Sequence, residues 1–246
     1  MFTSGASIQR AKQDIREHVW ALLERHSAVE RGVFGHIPDF VDAQAAAARL
    51  ATLPVWQSAR VIKANPDRAQ HAVRTMALES GKTVYMAVPN LANPQPFYVL
   101  DPTNLPVPPA QAALHQSAAT FAPTVAVETM APLDLVVCGS VAVNPDGARI
   151  GKGAGYSDIE FALLAEAGLI VAHTIIVTTV HRLQIVDRAL PETAHDFRVD
   201  LIATTEEIIT CPPSRRPAGI VWGDLTTDKI ATIPVLAERA SDSAQG

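Results

Sequence analysis

Three glycines at alternate positions, Gly151, Gly153 and Gly155, interleave with Arg149 and Lys152 in the run RIGKGAGYSD over residues 149–158. Glycine lets backbone N–H groups approach a ligand closely and the two cations attract negative charge, so this run is suited to holding an anion. Upstream, residues 133–143 (LDLVVCGSVAV) form a β-rich apolar run, closed by the turn signal Asn144-Pro145-Asp146-Gly147. Downstream, Ser157 and Glu160 have the S-x-x-E spacing of a capping box, which predicts a helix whose free N–H groups point back into the loop. The loop matches neither standard nucleotide fingerprint. A P-loop would need a hydroxyl residue where Gly153 stands, and a dinucleotide loop would need glycine where Tyr156 stands. A glycine-rich turn required by backbone geometry alone is the alternative reading.

These residues need a scaffold to converge. Residues 8–25 place Ile8, Ile15, Val19, Leu22 and Leu23 at helical spacing, which sets Lys12 and Arg16 four apart on one side. As an isolated pair they also read as a solvated helix face. A helix is predicted over residues 67–80, ended by Gly81, then a buried strand over 82–88. Residues 89–109 hold seven of the 18 prolines, which argues against a long helix or central strand and predicts an ordered loop carrying Phe97 and Tyr98. Further strands are expected at 134–138, 174–180, 199–204 and 220–222, with a helix over 158–167 between the first two. Apolar runs without alternation suggest strands buried on both faces. The expected fold is therefore α/β: a three-layer αβα sandwich with a mainly parallel sheet, binding ligands at the carboxyl ends of its strands. One domain is expected over residues 1–236, with a flexible tail at 237–246.

Composition narrows the function. Of 246 residues, 48% are hydrophobic and 18% charged, which argues against disorder, and a net charge of -5 argues against general nucleic-acid binding. Cys138 and Cys211 lack paired spacing with histidines, so two reduced, buried thiols are expected rather than zinc ligands. The eight histidines are scattered. His195-Asp196 reads first as a turn or cap, and His181 could reach a ligand from the end of its strand. The first residues carry no apolar signal core, and residues 167–180 are too short to span a membrane and include His173. A cytoplasmic protein without membrane contact is expected.

The glycine block resembles that of the 5-formyltetrahydrofolate cyclo-ligases, or methenyltetrahydrofolate synthetases. That family joins a strand similar to LDLVIVP-x-x-A-F to a turn and then R-L-G-x-G-x-G-Y-Y-D, places met here by residues 133–137, Ala142, Gly147, Arg149, Gly151, Gly153, Gly155, Tyr156 and Asp158. A second block, L-P-x-x-x-H-D followed by V-D, is met by Leu190-Pro191, His195-Asp196 and Val199-Asp200, and an N-terminal K-x-x-x-R by Lys12 and Arg16. The departures are Gly139 for the family's proline, Val143 for its phenylalanine and Ser157 for its second tyrosine. Its early glutamate falls near Asn65-Pro66-Asp67-Arg68, which leaves that carboxylate missing, and no G-I-x-E-P segment occurs. The pattern is most similar to the divergent branch of methenyltetrahydrofolate synthetase domain-containing proteins. The resemblance implies ATP and Mg²⁺ as cofactors and a reduced folate or another small molecule as substrate. It implies nucleotide contacts from Lys12, Arg16, Arg149, Gly151, Lys152, Gly153, Gly155 and Asp158, with Asp158 on the metal and Tyr156 and Lys152 as catalytic residues. Binding without turnover and an interaction or scaffold role are the alternatives.

Overall fold

The computed structural model describes residues 5–214 and 216–243. In chain order its helices and strands are α1 (Gly5–Arg25), α2 (Ala43–Ala51), α3 (Pro54–Ser58), β1 (Val61–Ala64), α4 (His71–Glu79), β2 (Thr83–Ala87), β3 (Phe97–Leu100), α5 (Pro109–Ala112), α6 (His115–Phe121), β4 (Thr124–Val125), β5 (Leu133–Cys138), β6 (Ala142–Val143), β7 (Arg149–Ile150), α7 (Tyr156–Glu166), β8 (Ile170–Thr179), β9 (Leu201–Ala203), β10 (Ile208–Thr210), α8 (Thr227–Thr232) and α9 (Pro234–Ser243). Eight strands form one sheet in the order β10-β9-β8-β5-β1-β2-β3-β4. The five from β9 to β2 run parallel, and β10, β3 and β4 add antiparallel edges.

Alternate side chains of the central strands enter two cores, as the two-residue period requires. Ile62, Ala64, Leu135 and Val137 pack with Leu50, Trp56, Val73, Ala77, Ala112 and Ala118 from α2 to α6. Val136, Cys138 and Ile176 pack on the opposite face with Phe161 and Leu164 of α7 and Leu236 of α9. This is the expected three-layer sandwich. A third cluster joins Val19, Trp20 and Leu23 of α1 to Ala142 and Ile150 of the β6–β7 hairpin, which rises beyond the carboxyl end of β5. The chain leaves β1 toward β2 on one side and β5 toward β8 on the other, so a crevice opens between the carboxyl ends of β1 and β5.

Several local expectations are corrected. Strand β1 was not legible because Lys63 and the Asn65-Pro66 break interrupt a four-residue run. Phe97 and Tyr98 lie in β3 rather than in a loop, since Pro96 and Pro102 flank the strand and leave its N–H groups to pair with β2. Residues 220–222 form no strand. They pass the end of α7, where the Ile220 N–H donates to Glu166 Oε1 at 2.8 Å, and enter a 3₁₀ turn at Trp222–Asp224. Residues 237–243 of the expected tail continue α9, whose Arg239 bonds Glu166 and Glu128 at 2.6 Å, while 244–246 lie outside the described residues. The capping box is also replaced. Gly155 is the N-cap of α7, which places Ser157 inside the first turn and sends Glu160 to a distant partner. Both cysteines are free and buried, as expected.

Candidate functional site

A cleft of about 590 Å³ occupies the crevice at the strand switch point, lined by residues that end its strands: Asn65 after β1, Val88 after β2 and Gly139 after β5. Its volume is that of a small-molecule site. The glycine loop forms one wall between β7 and α7, and α1 crosses behind it, so Lys12, Arg16, Arg149, Gly151, Lys152, Gly153, Gly155, Tyr156 and Asp158 all line the same cleft. The sequence motifs therefore meet in space.

Their side chains are engaged to different degrees. Arg16 Nε donates to the Gly151 carbonyl at 2.7 Å, and a Cβ at Gly153 would lie 3.3 Å from Arg16 Cζ. Gly153 has φ +103°, a region that L side chains rarely adopt, so the loop needs glycine there both for conformation and for room beside the guanidinium. Burial depresses the Arg16 pKa, against the opposing fields of Asp196 and Asp158. Lys12 is buried, and its ammonium donates to both oxygens of Asp196 at 2.7 and 2.5 Å. Burial opposes ionisation of Asp196, but Lys12 and the Thr193 side-chain and backbone donors outweigh it and hold the carboxyl below its ordinary range. Asp196 thus serves both the expected turn and an ion pair.

Arg149 is 3% exposed and faces inward. Its Nη2 donates to Asp158 Oδ1 at 2.9 Å, and its guanidinium carbon stands 4.0 Å over the Phe197 ring. Burial pushes the Asp158 carboxyl above its ordinary range, with Arg149 opposing it. Lys152 differs: its side chain is 41% exposed and its ion-pair partner among the described residues, Asp67, is 3.4 Å away. The cleft's six Lys and Arg side chains are matched by six carboxylates, so its charge is largely compensated within the protein.

The floor is a buried network. The Lys63 ammonium donates to Glu160 and, at 2.5 Å, to Asn65 Oδ1. An ammonium has only donors, so the amide oxygen must face it, which turns Asn65 Nδ2 toward Ser157 Oγ at 3.3 Å. Burial raises the Glu160 pKa, and Lys63 counters this. Two residues on, Asp67 lines the cleft, so the stretch in which the resemblance left a carboxylate missing does supply one. A Cβ at Gly139 would fall 2.8 Å from Ile37 Cγ2 and 3.2 Å from Asp67 Oδ2. Glycine in place of the family's proline is what lets these groups close on the end of β5.

Sequence reasoning missed Lys63 and the inward turn of Glu160, and gave no role to Asn65 beyond a lost acid. The available signal was a lysine inside the apolar tetrapeptide VIKA, where a buried strand demands a buried partner. His181 does not reach the cleft. It accepts from the Leu183 N–H at 3.2 Å and caps a 3₁₀ turn. Among the described residues no group of three or more His, Cys, Asp or Glu side chains could cage a metal ion, and no helix is long and apolar enough to cross a membrane.

A doubly covered parallel sheet with a glycine loop and a helix start at its switch point defines an α/β protein that takes small ligands at the carboxyl ends of its strands. The 5-formyltetrahydrofolate cyclo-ligase family matches residues 8–205, and the chain belongs to that family. It is 38% identical over 239 residues to the methenyltetrahydrofolate synthase domain-containing protein of Mus musculus, covering 92% of this chain and 62% of that protein. The Homo sapiens protein of the same name is 33% identical over 250 residues, covering 96% and 63%. The chain thus spans about three-fifths of the length of these curated relatives. The solution structure of Aquifex aeolicus 5,10-methenyltetrahydrofolate synthetase has the same fold, with a TM-score of 0.53 at 18% identity over 83% of this chain and 94% of that one.

Proposed function

We propose that the cleft binds ATP beside a reduced folate and converts 5-formyltetrahydrofolate to 5,10-methenyltetrahydrofolate, or carries out a closely related ATP-dependent reaction. One observation carries this reading: the glycine loop and the start of α7 line one cleft with Asn65 and Asp67, which touch Ser157 and Lys152, so a phosphate site and a polar site for a heterocycle would adjoin. The formyl oxygen would attack the γ-phosphorus with loss of ADP, and the second folate nitrogen would then close on the formyl carbon and expel phosphate. The protein's part is to orient both substrates and balance charge. First-turn N–H groups of a helix lack partners within the helix, so α7 and the glycine loop can donate to phosphate oxygens, with Lys152 as the loop's own accessible cation. Tyr156, the first residue of α7, flanks the space between the two substrates. Asp67 and the Asn65 amide offer an acceptor and a donor to the heterocycle.

Asp158 fits a role in holding Mg²⁺. Arg149 occupies one of its oxygens, and magnesium carried on nucleotide phosphates needs only one or two carboxylates from the protein. When bound, the ion would neutralise phosphate charge that the compensated cleft does not. That same compensation favours a second reading, in which the cleft binds nucleotide or folate without turnover. Purified protein incubated with MgATP and 5-formyltetrahydrofolate should develop methenyltetrahydrofolate absorbance. No absorbance alongside calorimetric binding of ATP or of 5-formyltetrahydrofolate would select the second reading, and no product with neither ligand bound would reject both.

A further inference from the structure

The family match stops at residue 205, yet chain beyond it packs against residues that line the cleft. Lys229 Nζ donates to the Ala154 carbonyl at 2.8 Å and stands 3.6 Å from the centroid of the Tyr156 ring, so one side chain touches both the last turn of the glycine loop and the first residue of α7. Its own backbone is held by the N-cap Thr226, whose Oγ1 accepts from the Lys229 N–H at 3.2 Å. On the neighbouring wall, Asp224 Oδ2 pairs with Nδ1 of the cleft residue His195 at 2.6 Å. The segment is anchored independently of these contacts. Ile220 bonds Glu166, a Cβ at Gly219 would lie 2.4 Å from Glu166 Cγ, and Trp222, Leu225 and Ile230 pack against the core on which Tyr156 also rests.

A loop with three glycines in five residues loses much conformational freedom on ordering, and a loop that must meet phosphate oxygens has to be ordered beforehand. We propose that residues 219–232 are a clasp that pre-orders the phosphate wall of the cleft, with Lys229 as its positioning residue. Lys229 is not among the residues lining the cleft, so it acts through Ala154 and Tyr156 rather than on a ligand. Asp224 performs the matching task for His195. The inference rests on the nucleotide reading of the cleft for its function, but the ordering itself is independent of any ligand.

Backbone amide order parameters from NMR on the ligand-free chain test it. Lys229→Met should lower the order parameters of residues 152–156 from the rigid range of about 0.85 toward about 0.6, because a cation–π contact and the hydrogen bond to the Ala154 carbonyl are lost together. The melting temperature should move by no more than about 2 °C, since the contact lies near the surface. ATP affinity should fall about five-fold, and Lys229→Arg should restore both properties, because arginine supplies a donor and a cation over the ring. Asp224→Asn should loosen residues 193–196 and leave 152–156 ordered. Unchanged order parameters at 152–156 in Lys229→Met, or a Lys229→Arg protein as loose as Lys229→Met, overturn the clasp. If the wild type binds no ATP, the nucleotide reading fails by itself and the order-parameter comparison still decides the clasp.

Discussion

The two sides of the cleft are built on opposite principles. The glycine-loop wall is made of backbone and of one cation near solvent, Lys152, whereas the β1 floor rests on a buried ion pair, Lys63 with Glu160, with the Asn65 amide at its edge on the cleft. A backbone wall adapts to a ligand's charge at little cost to the fold. A sealed ionic floor is fixed, because exposing or orphaning either charge is costly. Lys12–Asp196 and Arg149–Asp158 lie between these extremes, as cations at the wall already given to the protein's own carboxylates. The difference separates residues available for ligand from residues that shape the place where ligand sits.

Breaking the floor should have the largest effect. Lys63→Met should destabilise the fold by about 3 to 5 kcal/mol in urea titration, because it strands Glu160. Lys63→Met combined with Glu160→Leu should lose much less than the single change, and a double variant as unstable as the single one would mean that the charges themselves hold the floor.

The intermediate pair should respond to pH. Asp196→Asn should cost about 1.5 to 3 kcal/mol at neutral pH, the range for a hydrogen bond to a charged group. The folded pKa of Asp196 is depressed, so its contribution is present above the ordinary carboxylate pKa and disappears as pH falls through the folded value. Acid titrations of stability should therefore show that loss in the wild type and a shallower decline in Asp196→Asn. Parallel curves would contradict the ion pair.

At the wall, Lys152→Ala should leave stability within about 0.5 kcal/mol, as surface substitutions do. ATP binding should weaken by about 1 to 3 kcal/mol in calorimetry, the range for one charge-assisted hydrogen bond. Undiminished affinity would remove Lys152 from the phosphate site and with it the contrast between the two sides.

The sequence by itself was enough for the glycine wall and for the general plan of the sheet. Both are local properties. Closely spaced glycines and cations before a helix mark an anion loop within ten residues, and apolar runs such as 135–138 in β5 and 175–177 in β8 pack on both faces inside a covered parallel sheet. Only the tertiary structure decided what the charges do. Arg149 reads as an anion ligand from its place beside the glycines and Lys12 as a nucleotide contact from the family resemblance, but folding brings Asp158 and Asp196 to them, the latter from 184 residues away. Lys63 and Glu160 are 97 residues apart, and Arg16 and the Gly151 carbonyl 135. A charge gives no sign in the chain of whether it will meet solvent, ligand or a counter-charge, because its partner is set by how strands and helices are laid side by side and not by its own neighbours.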